Sequence, residues 1–178
     1  LRGQLERTGA YARSARDRVG SRVWSDNGFY FNQLDSRWID NKLGFSNSST
    51  IGDYGCGLTS LAMAFKYYGI QTNPVQLNDK LRRVRAFVGD LMDWRNAAAA
   101  SDGRLVLANS PYPVGQGNVD WGLINRQLDS RNPVIVYIDR PGQQSHYVLL
   151  IERRGSGYIM HDPIEGPFLQ FNDYYRTD

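Results

Sequence analysis

One cysteine limits the possible folds of this chain more than any other residue. Cys56 stands between two glycines at the head of an apolar run from Leu58 to Phe65. Apolar residues recur there at helical spacing, so we predict a helix that starts near Cys56 and buries one face. A thiol at a helix N-terminus lies at the positive end of the helix dipole, which favours the nucleophilic thiolate. A lone cysteine is also often a small buried hydrophobe, so its position alone leaves both interpretations open.

Both histidines of the chain, His146 and His161, lie in a segment that has the pattern of a β-hairpin. Residues 145–151 place a polar pair ahead of an apolar strand, and residues 155–157 form a glycine turn. Residues 157–163 then form the return strand, which ends at a proline.

Folding this hairpin about its glycines brings His146 and Asp162 opposite or diagonal to each other, within side-chain reach. Asp162 can then accept from one ring nitrogen of His146, and the other nitrogen can face Cys56. These three residues would supply the nucleophile, the base and the orienting group of an acyl-transfer triad. Because strand neighbours alternate between faces, His161 should face away from this site.

Length and charge exclude several classes of protein. The 178 residues suffice for one domain with a full core and hardly for two. The net charge of +3 is modest, and no RNA-binding aromatic signature or glycine-rich phosphate loop accompanies it. We therefore expect no nucleic-acid partner. No apolar run is long enough to span a membrane, one cysteine cannot form an internal disulfide, and we predict neither a cofactor nor a bound metal.

The start of the chain differs in composition from the rest. Residues 1–27 are rich in Arg, Ala, Gly and Ser, so we predict a basic linker or helical leading segment there. A single folded domain should occupy residues 28–178. Since the sequence begins at Leu1 and not at Met, we expect it to be part of a larger polypeptide.

Helices should occupy the first two thirds of the chain and antiparallel strands the last third, which indicates an α+β fold. Beyond the Cys56 helix, which should stop at Gly69, we predict helices from Pro74 after an Asn73 cap, over residues 88–100 and over residues 118–128. Strands are expected at residues 29–33, 104–107, 133–138 and 168–171. The apolar run 133–138 should be central in the sheet. Residues 43–53 should form a surface loop that leads to Cys56.

Four short groups of residues form one further pattern: Phe31-Asn32-Gln33, Gly55-Cys56, Ser145-His146 and Asp162-Pro163. Together they resemble the papain-like cysteine peptidases, in particular the bacteriocin-leader-processing, double-glycine type. In that family an aromatic-x-Gln segment precedes a Gly-Cys that opens a helix. A Ser-His or Gly-His starts a later strand, and an Asp-Pro ends the next one. The resemblance covers roughly residues 29–171, nearly all of the chain that we expect to be ordered. It implies a papain-like fold, in which a helical part carrying the thiol packs on an antiparallel sheet carrying His and Asp.

Carried over residue by residue, the resemblance assigns the nucleophile to Cys56, the general base and acid to His146, the orienting role to Asp162 and the oxyanion donor to the side-chain amide of Gln33. The Gln33-to-Cys56 spacing is longer than in papain because residues 43–53 intervene. The implied activity is hydrolysis of peptide bonds in a peptide or protein substrate through an acyl-enzyme.

Two alternatives stay open at this stage. The domain could be a peptidase-like binding or targeting module without turnover. It could also use the same site for another acyl transfer, as a transglutaminase or an amidase of peptidoglycan stems does. Relatives of this type often occur as modules of secreted, envelope-associated or phage-associated proteins, so the resemblance implies such a location without choosing among the three.

Overall fold

The computed structural model describes residues 5–7, 27–107, 119–139 and 143–175. Within them the fold is α+β, as predicted, with helices around an antiparallel sheet. The helices are α1 (Ile51–Tyr54), α2 (Cys56–Tyr67), α3 (Pro74–Arg83), α4 (Trp94–Ala97), α5 (Trp121–Asp129) and α6 (Phe171–Tyr174), with 3-10 turns at Asn27–Phe29 and Ala98–Ser101. The strands are β1 (Leu5–Arg7), β2 (Phe87–Val88), β3 (Leu91–Met92), β4 (Leu105–Leu107), β5 (Val134–Ile138), β6 (His146–Arg154), β7 (Gly157–Asp162) and β8 (Gly166–Gln170).

In the part of the chain that the structure describes, the main sheet contains four antiparallel strands in the order β5-β6-β7-β8. The predicted hairpin is confirmed as β6 and β7, and Gly155 turns the chain between them at a φ of +62°. Leu149 pairs with His161 in this hairpin, so His146 lies beyond the last paired residues, next to the end of β7.

Alternate residues of the sheet face two different helical layers. One face packs against α2, and its sheet members in that core are Ile135, Leu149, Ile151 and Ile159. The other face packs against α5 and α6, and its sheet members are Val134, Val136, Val148, Leu150, Tyr158 and Met160. Both faces of the sheet are therefore shielded from solvent. This explains why the strands are continuous apolar runs and do not alternate apolar with polar residues.

Helix α2 starts at Cys56 as predicted, but it buries more than one face. Every residue of α2 except Lys66 is buried. A helix that is apolar on all sides belongs inside a core, and α2 lies between the sheet and α3. The helix ends at Tyr67, with Tyr68 as its C-cap, and Gly69 adopts a φ of +78°, the left-handed conformation that glycine supplies at little cost.

The turn that leads into α2 fixes the position of the cysteine. Thr50 and Asp53 form a capping box at the start of α1, because each side chain binds the backbone N–H of the other residue. Gly55 joins α1 to α2, and a Cβ there would overlap the carbonyl oxygen of Ile51. Glycine at this position is thus required by backbone packing.

The predicted central position of residues 133–138 is wrong. The segment forms β5, which among the described residues pairs only with β6 and lies at the edge of the sheet. Its run of apolar side chains reflects helices on both faces of the strand rather than strands on both sides.

Residues 88–93 are not helical. They belong to the β2–β3 hairpin, whose two-residue turn is Gly89-Asp90, with Gly89 at a φ of +64°. Such a glycine-containing pair is a strong hairpin signal and outweighs the weak helical spacing of the apolar residues around it. Helix begins only at Trp94, where the Asp93 side chain caps α4.

Three further expectations need correction. Residues 29–33 form a 3-10 turn and irregular chain, held by a backbone hydrogen bond of 2.8 Å from Gln33 N–H to the Pro163 carbonyl and not by a strand ladder. Residues 43–53 are only partly a surface loop, because Leu43 and Ile51 are buried and α1 starts there. Phe171, expected in the last strand, opens α6 instead.

Other boundaries agree with the sequence. Asn73 caps α3, with Pro74 in its first turn, and β4 lies within the predicted strand 104–107. Helix α5 starts at Trp121, a few residues later than expected. The predicted leading segment, residues 1–27, lies almost wholly outside the described residues. Residues Leu5–Arg7 within it are extended and pair with β4.

Candidate active site

Cys56 occupies the first turn of α2 and lines a cleft. Its side chain is nearly buried, and the cleft has a volume of about 700 Å³. The walls come from α2, from the segment around Met92 and Trp94, and from Ser145 and Tyr147 on either side of His146. The cysteine therefore faces a space that could hold several residues of an extended chain.

His146 and Asp162 are in direct contact. Nε2 of His146 lies 2.9 Å from Oδ1 of Asp162, and both side chains are almost completely inaccessible to solvent. His146 is the first residue of β6 and Asp162 the last of β7, so the open end of the hairpin brings them together. Because Nε2 is used by the carboxylate, Nδ1 is the ring nitrogen left to interact with Cys56.

The electrostatics favour a charged imidazole beside the cysteine. Burial by itself lowers the pKa of His146, but hydrogen bonds with Asp162 and Cys56, and attraction to both groups, raise it to about 9. For Asp162, burial raises the pKa, but the hydrogen bond and charge of His146 and further donors lower it below its ordinary value. Each group thus stabilises the charged form of the other.

Gln33 lies next to the His146–Asp162 pair, but its side chain is directed at a backbone carbonyl. Its side chain is buried, and its Nε2 donates to the carbonyl oxygen of Gly52 at 2.8 Å. Among the described residues no hydrogen bond joins Gln33 to Cys56, and none donates to Gln33 Oε1. The contact with Gly52 uses one of the two amide N–H groups.

His161, the second histidine, points to the opposite face of β7. Its ring stacks on Phe29 with centroids 4.5 Å apart, and Tyr30 and Phe168 contact it edge-on. Neither ring nitrogen has a hydrogen-bond partner among the described residues, and burial lowers the pKa of His161 to about 3. It is a neutral aromatic core residue at physiological pH.

Two tyrosines that sequence reasoning did not single out also bind Asp162. Tyr175 donates to Oδ2 at 2.7 Å, and Tyr30 donates to the backbone carbonyl at 3.1 Å. Burial, and to a smaller extent the negative charge of Asp162, raises the pKa of Tyr30 to about 12. Neither tyrosine has a sequence spacing that marks it, because each reaches Asp162 only through the tertiary fold.

The part of the chain that the structure describes contains no group of three or more His, Cys, Asp or Glu side chains that could hold a metal ion. Within that same part, every helix is too short or too polar to cross a lipid bilayer.

A cysteine at a helix start and a histidine that binds a buried carboxylate are the kinds of group that a thiol hydrolase needs. A family model described as the Peptidase_C39 like family matches residues 27–177. The chain therefore belongs to this family of cysteine peptidases of the double-glycine type. Neither the curated proteins nor the solved structures yield a match to this chain. Membership in the family suggests a hydrolase that acts on peptide bonds.

Proposed function

We propose that this protein is a papain-like cysteine peptidase in which Cys56, His146 and Asp162 form the catalytic triad. The contact between His146 Nε2 and Asp162 Oδ1 carries the proposal, because it fixes the imidazole with its other nitrogen available to Cys56. The family match and the placement of Cys56 at the start of α2 support the same assignment.

The proposed reaction begins with attack of the Cys56 thiolate on a peptide carbonyl carbon. The carbonyl oxygen becomes an oxyanion, and the backbone N–H of Cys56 at the helix start can donate to it. The imidazolium of His146 then gives its Nδ1 proton to the leaving amine as the C–N bond breaks. Water, deprotonated by His146, attacks the thioester, and thiolate and acid product are released.

Gln33 is the second oxyanion donor in this proposal. Its amide is held in place by the 2.8 Å contact with the Gly52 carbonyl, which leaves one N–H group for the substrate. A single donor of this kind lowers the barrier by about 3 kcal/mol in a well-ordered site.

The walls of the cleft suit a polypeptide substrate. Leu58, Met92, Trp94 and Tyr147 present apolar surface beside Cys56. Gly57 forms part of the same wall, and a Cβ there would lie 3.3 Å from the Tyr147 ring. An extended chain with apolar side chains fits such a surface.

Thiol labelling tests whether the site is chemically competent. We expect iodoacetamide to alkylate Cys56 at about pH 5.5, where an ordinary thiol with a pKa of about 8.5 is almost fully protonated. His146→Gln should slow the labelling by about tenfold or more, because the imidazolium that stabilises the thiolate is lost. Mass spectrometry of the intact protein gives both rates.

The unfolded protein in urea supplies the reference rate for an unperturbed thiol. Labelling of the folded protein no faster than this reference would favour a peptidase-like binding domain without turnover. Rapid labelling combined with transfer of the acyl group to an added amine instead of water would favour the transglutaminase alternative.

The pH profile depends on the charge of Asp162. The pKa of His146 is raised to about 9, in part by this carboxylate, so activity should fall as pH rises through about 9. Asp162→Asn removes the negative charge, so the pKa of His146 should fall and the alkaline limb of kcat/KM should move to lower pH. The measurement is a pH–rate profile on a fluorogenic peptide.

Asp173→Asn is the matched control, because Asp173 is an exposed carboxylate eleven positions further along, outside the site. Its profile should coincide with that of the wild type. An alkaline limb that stays in place in Asp162→Asn would mean that Asp162 does not influence the ionisation of the base.

A further inference from the structure

The hydrogen bonds around Asp162 are divided unequally between its two carboxylate oxygens. Oδ1 accepts from His146 Nε2 at 2.9 Å and from the backbone N–H groups of Ile164 and Glu165 at 2.8 and 3.1 Å. Oδ2 accepts from the hydroxyl of Tyr175 at 2.7 Å. The side chain of Asp162 is fully buried, so an oxygen without a donor there would be costly.

Tyr175 reaches this oxygen from the far end of the chain. It follows α6, whose first residue Phe171 is buried in the core on the α5 side of the sheet. The Tyr175 ring lies 5.3 Å from the Phe171 ring and 6.5 Å from the His146 ring, measured between centroids. Neither Tyr175 nor Asp162 is one of the residues that line the cleft, so Tyr175 reaches the pair through Asp162.

We propose that Tyr175 is a positioning residue for the catalytic pair: its hydroxyl anchors Oδ2 of Asp162 and thereby keeps Oδ1 directed at His146. This inference rests on the proposed function of the triad. The carboxylate can rotate about its Cβ–Cγ bond, and a donor on Oδ2 as well as on Oδ1 removes that freedom. A tyrosine hydroxyl is a neutral donor, so it satisfies the oxygen without competing with His146 for the charge of the carboxylate as a cation would.

The bond also helps Asp162 to remain ionised. Burial alone raises the pKa of a carboxyl group, and the Tyr175 hydroxyl is one of the donors that counteract this effect. Loss of the hydroxyl should therefore make the carboxylate easier to protonate and less well oriented, while the ring of Tyr175 still fills its place in the core.

Tyr175→Phe tests the inference, because it deletes only the hydroxyl. We expect kcat on a fluorogenic peptide to fall by about tenfold, with KM changed by less than about twofold, since a hydrogen bond to a charged group is lost away from the substrate. Tyr174→Phe is the matched control, because Tyr174 is the neighbouring tyrosine and is exposed. Loss of its hydroxyl should leave kcat and KM unchanged.

Carboxyl titration gives a second readout that needs no turnover. In a Cys56→Ala background, the ¹³C signal of the Asp162 carboxyl, assigned by its absence from Asp162→Asn, should titrate at higher pH in Tyr175→Phe than in the parent. This result separates failure of the inference from failure of the proposed function, because the ionisation of Asp162 is measured in a protein without its nucleophile.

A double-mutant cycle completes the experiment. If the hydroxyl acts through the carboxylate, Tyr175→Phe should have little further effect on kcat in an Asp162→Asn background. Unchanged kcat and an unchanged Asp162 titration in Tyr175→Phe, even with a lower melting temperature, would overturn the inference and leave Tyr175 a packing residue only.

Discussion

Replacement of Cys56 by alanine should abolish peptide hydrolysis while the protein stays folded. In hydrolases with a comparable triad, loss of the nucleophile lowers kcat by about 10⁴-fold or more, because the remaining groups cannot form the acyl-enzyme. Cys56→Ser should be almost as inactive, since a hydroxyl beside the imidazole of His146 is much less acidic than a thiol. The measurement is release of a fluorophore from a generic peptide over a long incubation.

The stability of this variant should change little. The side chain of Cys56 lies beside the cleft, so truncation leaves a space that opens toward solvent and not a closed cavity. We expect the free energy of unfolding to fall by about 1 kcal/mol or less. Urea denaturation of the wild type and the alanine variant gives this difference.

Thr59→Val is the matched control on the same helix. The hydroxyl of Thr59 is buried without a hydrogen-bond partner among the described residues, so its replacement by a methyl group should be neutral or slightly stabilising. This variant should hydrolyse the peptide at the wild-type rate. Full activity in Cys56→Ala would end the proposal that this protein is a thiol peptidase.

Local patterns in the sequence were sufficient where one physical cause dominated. The run after Cys56 predicted a helix with a buried face, and the glycines at residues 155–157 predicted a turn that folds two apolar strands into a hairpin. The contact between His146 and Asp162 follows from that hairpin, because both residues lie at its open end.

Prediction failed where a residue's neighbours come from distant parts of the chain. The apolar run 133–138 gave no sign of whether strands or helices would cover it, and helices on both faces placed it at the sheet edge. Tyr175 was missed for the same reason, since only the packing of α6 brings its hydroxyl to Asp162. The orientation of Gln33 depends on the Gly52 carbonyl, which no sequence spacing reveals.

His146 and His161 should differ completely in their effect on activity. His146→Gln removes the group that we propose as base and acid, and kcat should fall by about 10³-fold or more. His161 lies on the other face of β7 among Phe29, Tyr30 and Phe168, so His161→Phe should keep most of the activity. Phenylalanine is the appropriate replacement, because a glutamine amide would be buried there without a partner.

The same pair should differ in how pH affects stability. The pKa of His161 falls from about 6.5 in the unfolded chain to about 3 in the folded protein. Between these two pKa values the unfolded state therefore binds more protons than the folded state. The contribution of His161 to stability is lost as pH falls below 6.5. His146 acts in the opposite sense, because its pKa is raised in the folded protein. Its contribution to stability is fully present below pH 6.5 and is lost as pH rises through about 9.

Urea denaturation at pH 7 and pH 5 separates the two histidines. Between pH 7 and pH 5 the free energy of unfolding should fall in the wild type by about 2 kcal/mol more than in His161→Phe. The variant has no buried imidazole that becomes protonated on unfolding. His146→Gln should show no such protection from acid.

If His161→Phe lost turnover while His146→Gln retained it, the strand register assigned to the catalytic face would be wrong by one residue. The base would then have to be sought in the aromatic cluster around Phe29.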